Sequence, residues 1–463
     1  MNESDPKSIP LIAAAVVLTL AAGFVIAKFS YLVAGAIVLG IIIAVVSFIS
    51  GELALYLLIL SMLLSPQFMV GGVGGESVRG RGITLRLDDF ILVIMGLGWF
   101  VKTSVQKDLG LFLKTPLNGP IFYYFLACVI STLFGFMMGR VKGTAGMFFV
   151  IKYFEYFVVY FMAVNYLKRR DQIERFTNIM LIVCLIVCIV AILQIPSGMR
   201  VSAPFEGQEG EPNTLGGYLV LMLSILIGLR LAGYGKWMHK TLFWTLLLFI
   251  IVTLAATLSR SSWISLLPMA AFLFLFSKKK LVIAITVLSI AIAAPFFIPL
   301  TVKERMLFTF KQKPEVGQLQ LAGVRIDTST SERLESWRIV LTNDFKQHPI
   351  VGFGVTGYRF LDAQYARILA ETGLVGLITF LILIGVIFRE AIHTYRGTSD
   401  PLYSGLTLGY LGGLAALLTH SIGANTFIIV RIMEPFWFIT AMIIMIPKIE
   451  ANERRKQIVT QKP

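Results

Sequence analysis

The sequence specifies an all-α, polytopic integral membrane protein. Hydrophobic residues make up 57% of the chain and charged ones only 14%. The apolar residues come in repeated runs near the ~20 residues that a helix needs to cross a bilayer. One long polar stretch, residues 301–376, interrupts them. A soluble core has no room for so many unbroken apolar runs. In lipid each run has to be a helix, because backbone N–H and C=O groups find no water there.

Taken in order, spans are expected near 9–27, 31–49, 53–68, 88–102, 118–136, 147–167, 176–195, 213–232, 241–258, 262–277, 281–300, 367–388, 402–421 and 427–447. That gives about 12–14 transmembrane helices, with one large extracytoplasmic loop containing short helices. Residues 1–300 form an N-terminal helix bundle, 301–367 the loop, and 368–463 the C-terminal helices with a basic cytoplasmic tail. Met1 to Lys7 is polar, and the span after it lacks a small-residue cleavage site, so it reads as a retained helix. The third and fourth spans are short, which suits a tilted or re-entrant path.

The net charge of +15 raises the question of nucleic acid. The basic residues sit at span ends instead, as in Lys168-Arg169-Arg170, Lys278-Lys279-Lys280 and Arg454-Arg455-Lys456. This is the pattern of topology marking, and no nucleic-acid face is expected. With these clusters cytoplasmic, together with Lys236 to Lys240 and Arg389 to Arg396, residues 196–213, 259–261 and 301–367 lie outside. Arg79, Arg81 and Arg86 break the pattern: either the span count shifts by one there, or they face an anionic ligand. The glycine-rich stretch 71–82 lacks the Gly-Lys-Ser/Thr ending of a phosphate loop and reads as a flexible connection. Cys128, Cys184 and Cys188 lie in apolar runs without disulfide or zinc spacing, and no metal site is expected.

Ionisable groups at membrane depth are costly and mark function. Arg260 falls in the tight turn Leu258-Ser259-Arg260-Ser261, where a guanidinium can grip a phosphate or simply reach the interface beside Trp263. The loop from Arg200 to Asn213 holds three glutamates and an arginine. Residues 329–347 read as an amphipathic helix with a Ser329/Glu332 capping box. Leu334, Trp337, Leu341 and Phe345 share its apolar face, with Arg333 one turn before Trp337. Pro349 and Gly352-Phe353-Gly354 end it. Asp362 stands where it can cap the next helix. His420 ends a span on the outer face.

Several of these segments together resemble a known family. Ser259-Arg260, Ser331-Glu332-Arg333-Leu334-Glu335-Ser336-Trp337, His348-Pro349-Ile350-Val351-Gly352-Phe353-Gly354, Tyr365, and Ala370-Glu371-Thr372-Gly373-Leu374-Val375-Gly376 resemble the O-antigen ligase/O-antigen polymerase superfamily over roughly 200–450. The resemblance implies a bacterial membrane glycosyltransferase of GT-C-type architecture, with no cofactor, metal or nucleotide sugar. Its donor is an undecaprenyl-diphosphate-linked glycan, used on the outer face of the inner membrane. The acceptor is a glycan or lipid, and membrane lipids and other polysaccharide assembly proteins are the expected partners. Arg260 and Arg333 match the family's arginines and are expected to hold the departing diphosphate, with Asp362 the third catalytic candidate. Arg200, Trp337, Arg338, Tyr365, Glu371 and His420 are expected to bind substrate. Family ligases carry a His-Asn pair where this chain has Asp362-Ala363, which favours a polymerase of O-antigen, capsule or exopolysaccharide. Ligation to a lipid or other acceptor, and transport of lipid-linked glycans, are the alternatives.

Overall fold

The computed structural model describes residues 40–460 except 41, 47–48, 73–81, 106–112, 207–209, 236–237 and 322–323. The expected span 9–27, most of 31–49, and Arg79 and Arg81 lie outside the described residues. In chain order the elements are α1 (Gly51–Leu64), a hairpin of β1 (Gln67–Gly72) and β2 (Gly82–Arg86), α2 (Leu87–Val105), α3 (Asn118–Met137), α4 (Gly143–Tyr166), α5 (Arg170–Ile192), α6 (Pro212–Ala232), α7 (Met238–Ala256), α8 (Arg260–Phe276), α9 (Lys280–Phe297) and α10 (Leu300–Lys311). A second, minimal hairpin follows, β3 (Gln320–Leu321) with β4 (Val324–Arg325), both hairpins being antiparallel. Then come α11 (Thr328–Ile339), α12 (Gln364–Gly397), α13 (Pro401–His420) and α14 (Val430–Thr460).

The protein is therefore an all-α polytopic membrane protein. Every span expected from residue 53 onward corresponds to one of these helices. Eight described helices are long and apolar enough to cross a bilayer, and Gly51–Leu64, Thr241–Ala256 and Arg260–Phe276 are shorter apolar helices. The expected tight turn between two of these helices is present, separating α7 from α8 at Thr257-Leu258-Ser259.

The described chain forms two compact units. One comprises residues up to Leu58 with Leu87–Leu111; the other comprises Ile59–Arg86 with Phe112–Pro463. Everything that follows belongs to the second. Its densest contact is between α6 and α13. Small residues permit it: a Cβ on Gly228 would sit 2.4 Å from the Gly405 carbonyl oxygen and from the Gly409 nitrogen. The Ser224 hydroxyl donates to the Gly409 carbonyl at 2.6 Å. Lipid gives helices no hydrophobic reason to associate, so close backbone approach and such hydrogen bonds supply the adhesion. α9 stands at the other extreme, with Leu281, Ile285, Leu288, Ile292, Phe296 and Phe297 exposed, as a lipid-facing helix requires.

α12 is broken at Gly373, whose backbone (φ 64°, ψ −162°) is not helical. The break strands backbone groups that the loop before it takes up. Phe353 and Gly354 N–H donate to the carbonyls of Ala370 and Glu371 at 2.9 and 2.8 Å, and Leu374 and Val375 N–H donate to Pro349 and Ile350 at 2.9 and 3.2 Å. The Ser131 hydroxyl on α3 lies 2.6 Å from both the Val351 and Glu371 carbonyls. This exchange explains two glycines. A Cβ at Gly373 would meet the Ile350 oxygen at 2.3 Å, and one at Gly352 the Ala370 oxygen at 2.6 Å, both at positive φ. The His348–Gly354 and Glu371–Gly376 motifs are thus two sides of one backbone junction.

Candidate active site

The site is built where α6, α8, α11, the start of α12 and the end of α13 meet. The α7–α8 turn sets its floor. Leu258 is held in the left-handed region (φ 50°), a strained conformation for leucine. The carbonyls left free at the end of α7 are taken by Arg200, whose Nε donates to Thr257 at 3.0 Å and whose second amino group donates to Leu258 at 3.3 Å. This is side-chain capping of a helix C-terminus. Ser259 then caps α8, accepting from the Ser262 N–H. Its hydroxyl donates to Asn213 Oδ1 on α6 at 2.8 Å. The serine thereby fixes the height of Arg260, the first residue of α8.

Arg260 faces the long loop. Its guanidinium grips Asp327 through two hydrogen bonds, 2.9 and 2.7 Å, and donates to the Thr309 hydroxyl at 2.6 Å. The fork of arginine matches a carboxylate with both arms, which makes the pair directional as well as charged. Burial by itself would raise the Asp327 carboxyl, but the Arg260 and Thr330 hydrogen bonds and the field of Arg260 and Arg305 hold it below the usual range. The Asp327 side chain is 1% exposed.

This pairing overturns the expected capping box. The residue preceding α11 is Asp327, and its side chain makes no capping bond. The Thr328 N–H is satisfied by Gln312 Oε1 at 2.9 Å, and the Ser331 hydroxyl accepts from the Leu319 N–H. Beyond Ile339 the helix widens to a π-helical turn, Val340–Asp344, and closes with Phe345–Gln347. The apolar stripe shifts accordingly. Trp337, Val340 and Phe345 pack on Leu361, Ala363, Ala366, Leu369 and Ala370, while Leu334 and Leu341 are exposed. A fixed period of 3.6 residues places Leu341 on the wrong face because a π turn takes more residues per revolution.

Arg333, half-buried on α11, donates to Asp362 Oδ2 at 2.7 Å. Asp362 therefore does not cap α12; Ala363 precedes that helix without a side-chain cap. The segment is tied down instead by Asn425, which donates to the Leu361 carbonyl at 2.7 Å, and by Gln364, whose Oε1 accepts from the Phe427 N–H at 3.1 Å. The Tyr365 hydroxyl donates to the Leu418 carbonyl at 2.6 Å, and its ring lies 6.5 Å from that of Trp337. His420 is fully buried beside Gly217 and shares a 2.8 Å hydrogen bond between Nδ1 and the Thr426 hydroxyl.

Two arginines join Arg260 and Arg333 in one field. Arg200 is depressed to about 10 by burial and by Arg305, Arg260 and Arg333. Arg305 on α10 is lowered by burial and by Arg260 and Arg333, with Asp327 opposing. Both stay cationic at neutral pH. Arg305 pairs with no carboxylate among the described residues; its Nε, like that of Arg333, is buried with no acceptor, and its guanidinium lies over the Phe308 ring at 5.6 Å. Four arginines thus face two ion-paired aspartates, leaving excess positive charge at the mouth of the helices.

Glu211 borders this cluster. It is the residue preceding α6, its N–H donates to Glu206 Oε2 at 3.0 Å, and its side chain is open to solvent in a recess crowded by protein. Burial, then the charges of Asp362 and Glu206, raise it to about 7, against a hydrogen bond from Asn213 and the field of Arg333. Glu206 in turn is buried against Arg431 at 3.4 Å. Arg431 also donates to the Leu63, Pro204 and Ser65 carbonyls. Arg86 pairs with Glu434 at 3.2 Å, so among the three early arginines the one described here serves a buried ion pair.

Of the expected site residues, Arg200, Arg260, Arg333, Trp337, Asp362, Tyr365 and His420 gather in this region. Two do not. Arg338 is exposed and pairs with Glu335 at 2.7 Å. Glu371 is buried against Arg367 at 3.0 Å, with Tyr153 accepting from the same guanidinium at 3.2 Å. Sequence reasoning missed Asp327 and Arg305. The signal for Asp327 was its place before a Thr-Ser-Thr-Ser helix start; Arg305 lies in a polar helix with no motif. Among the described residues no group of three or more His, Cys, Asp or Glu side chains is arranged to hold a metal ion.

Residues 244–381 match the family model described as O-antigen ligase. No curated protein matches the chain. The matched stretch contains Arg260, Arg305, Asp327, Arg333 and Asp362, while Arg200, Glu211 and His420 lie outside it. The match supports a likeness to the O-antigen ligase/O-antigen polymerase superfamily over that stretch, which holds Arg260, Arg305 and Arg333 of the four clustered arginines.

Proposed function

We propose that the protein is a glycosyltransferase that polymerises undecaprenyl-diphosphate-linked oligosaccharide units into O-antigen, capsule or exopolysaccharide, with Arg305, Arg333 and Arg200 receiving the diphosphate. The observation that carries this reading is the uncommitted cation. Arg260 has both arms on Asp327, but Arg305 has no carboxylate and stands among three other guanidiniums. Mutual repulsion in a partly desolvated site is unfavourable until an anion enters. A diphosphate at a membrane surface meets that need, and its charge grows as the glycosyl bond breaks. Donors fixed in advance around that growing charge are the largest single contribution in such reactions. The Arg260–Asp327 pair holds the loop helix against α8 and so sets the spacing of the cluster.

Orientation by the positive-inside rule puts the cluster on the outer face of the cytoplasmic membrane, and residues 301–367 outside with it. Residues 1–300 and 368–463 then serve as the membrane scaffold for that loop. The donor is a lipid-linked glycan, and the acceptor a second glycan chain. A ligase reading is favoured by the description of the matching family.

The test is reconstitution of the purified protein in lipid nanodiscs with a lipid-diphosphate-linked oligosaccharide. Ladders of lengthening product on the lipid support polymerisation. Transfer only to an added lipid or sugar acceptor points to ligation. Movement of the lipid-linked glycan across vesicle membranes without new glycosidic bonds refutes both.

A further inference from the structure

We propose that Glu211 is the carboxylate that takes the proton from the attacking hydroxyl, and that Asp362, held by Arg333, is a positioning residue. This rests on the glycosyl-transfer reading above. The argument is one of elimination by bonding. Asp327 has both oxygens on Arg260. Asp362 has one oxygen on Arg333, and the other is sealed from solvent without a partner. Glu206 is buried on Arg431 and accepts from the Glu211 N–H. His420 is fully buried, its Nε2 enclosed without a partner. None of these can present a free lone pair to an acceptor sugar. Glu211 can, because its side chain is solvent-accessible and outside every ion pair of this site.

Its backbone is fixed, as a proton acceptor's should be. The Thr214 N–H bonds to its carbonyl at 2.9 Å, and its own N–H is held by Glu206 at 3.0 Å. Asn213, two residues on, is locked to Ser259, and Ser259 precedes Arg260. The carboxylate is therefore on the same short lever as the arginine cluster. Asp362, Glu206, Arg333 and Arg200 are the charged groups that face it. The two carboxylates raise it towards neutrality and the arginines oppose them, which leaves a group poised near the working pH, where a general base is most effective.

The step balances as follows. The acceptor oxygen bonds to the anomeric carbon while that carbon's bond to the diphosphate oxygen breaks. The bonding pair leaves with the diphosphate, where the arginines receive it. The hydroxyl proton passes to Glu211 and is later lost to water.

The experiment uses the full chain in nanodiscs with a lipid-diphosphate-linked oligosaccharide. Initial rates are measured over roughly pH 5–9, and donor binding is measured in parallel. In the unaltered protein the rate should rise through a midpoint near 7. Glu211→Gln should lose about 10²–10⁴-fold in rate and the acidic limb with it, while donor affinity stays. Asp362→Asn should move the midpoint to lower pH. Glu211→Asp should keep a limb with a changed midpoint, so the inference stays testable if the Gln variant does not fold. A Glu211→Gln protein that keeps its rate or its acidic limb overturns the inference, as does Glu211→Asp with rate and midpoint unchanged. An unaltered protein that binds donor but forms no glycosidic bond overturns the underlying reading instead.

Discussion

Replacing Asp327 by alanine should unlatch the loop helix from α8. The structure sets the size of the effect. Arg260 is 14% exposed and Asp327 1%, so Asp327→Ala strands a largely buried guanidinium. Breaking a buried pair from one side costs about 3–5 kcal/mol. The Thr309 hydroxyl remains at 2.6 Å and some water can reach the arginine, which favours the lower end, about 3 kcal/mol. Converted at 1.4 kcal/mol per decade, that is roughly a 100-fold change in the opening equilibrium. The assay is amide hydrogen exchange in nanodiscs. Amides of Thr328–Ile339 should exchange roughly 100-fold faster, while those of α6 and α13 keep their rates. Because the Asp327 carboxyl lies below its ordinary value, the pair's contribution is present above the unfolded-state value of about 3.9 and fades as pH falls through the lower folded one. The difference between the two proteins should therefore persist throughout neutral pH. Equal exchange in α11 would refute the claim that this pair latches the loop. Arg260→Ala with Asp327→Ala should cost less than the sum of the two single changes, since each single change leaves a charge behind.

Three further outcomes follow from the same geometry. Arg305→Gln should weaken donor binding roughly 10–100-fold, the worth of one charged hydrogen bond, with the thermal midpoint unchanged or higher because a repulsion is removed; a lower midpoint with unaltered binding would count against its role. Gly373→Ala should destabilise by more than about 1–2 kcal/mol, since left-handed strain adds to the clash with the Ile350 oxygen at 2.3 Å, and thermal unfolding in detergent will read it. Glu371→Gln leaves Arg367 buried without its counter-charge and should cost about 3–5 kcal/mol; the loss should appear in folded yield, and a folded protein defective only in donor binding would argue against a purely structural role.

The Glu371 and Asp362 comparison shows how far motif reading reaches. Both lie in stretches that resemble the family. One is buried beside Arg367 in α12, and the other meets Arg333 across a loop. Spacing alone does not separate them, because the break at Gly373 and the returning His348–Gly354 loop determine which side chains turn towards the cluster. The capping reading failed for a related reason. Asp362 was suited to bond a backbone N–H group, but Arg333, distant in sequence, offered it a charged donor, and the helix expected to start with the Ser329/Glu332 box begins instead at Thr328, after Asp327, whose carboxylate Arg260 takes.

The sequence by itself determined the fold class and the position of every described span from residue 53 onward. Lipid forces long apolar runs into helices, and this is a local rule that needs no knowledge of neighbours. It also singled out Arg260 and Arg333, because an arginine at a span end or in a motif is conspicuous against an apolar background. Only the tertiary structure decided which charges are committed. It paired Arg260 with Asp327 and Arg333 with Asp362, left Arg305 without a carboxylate, and placed Glu211 within the field of Asp362. These relations join residues from α6, α8, α10, α11 and the start of α12. Electrostatic interaction depends on distance and burial, and neither is a property of a residue's neighbours along the chain.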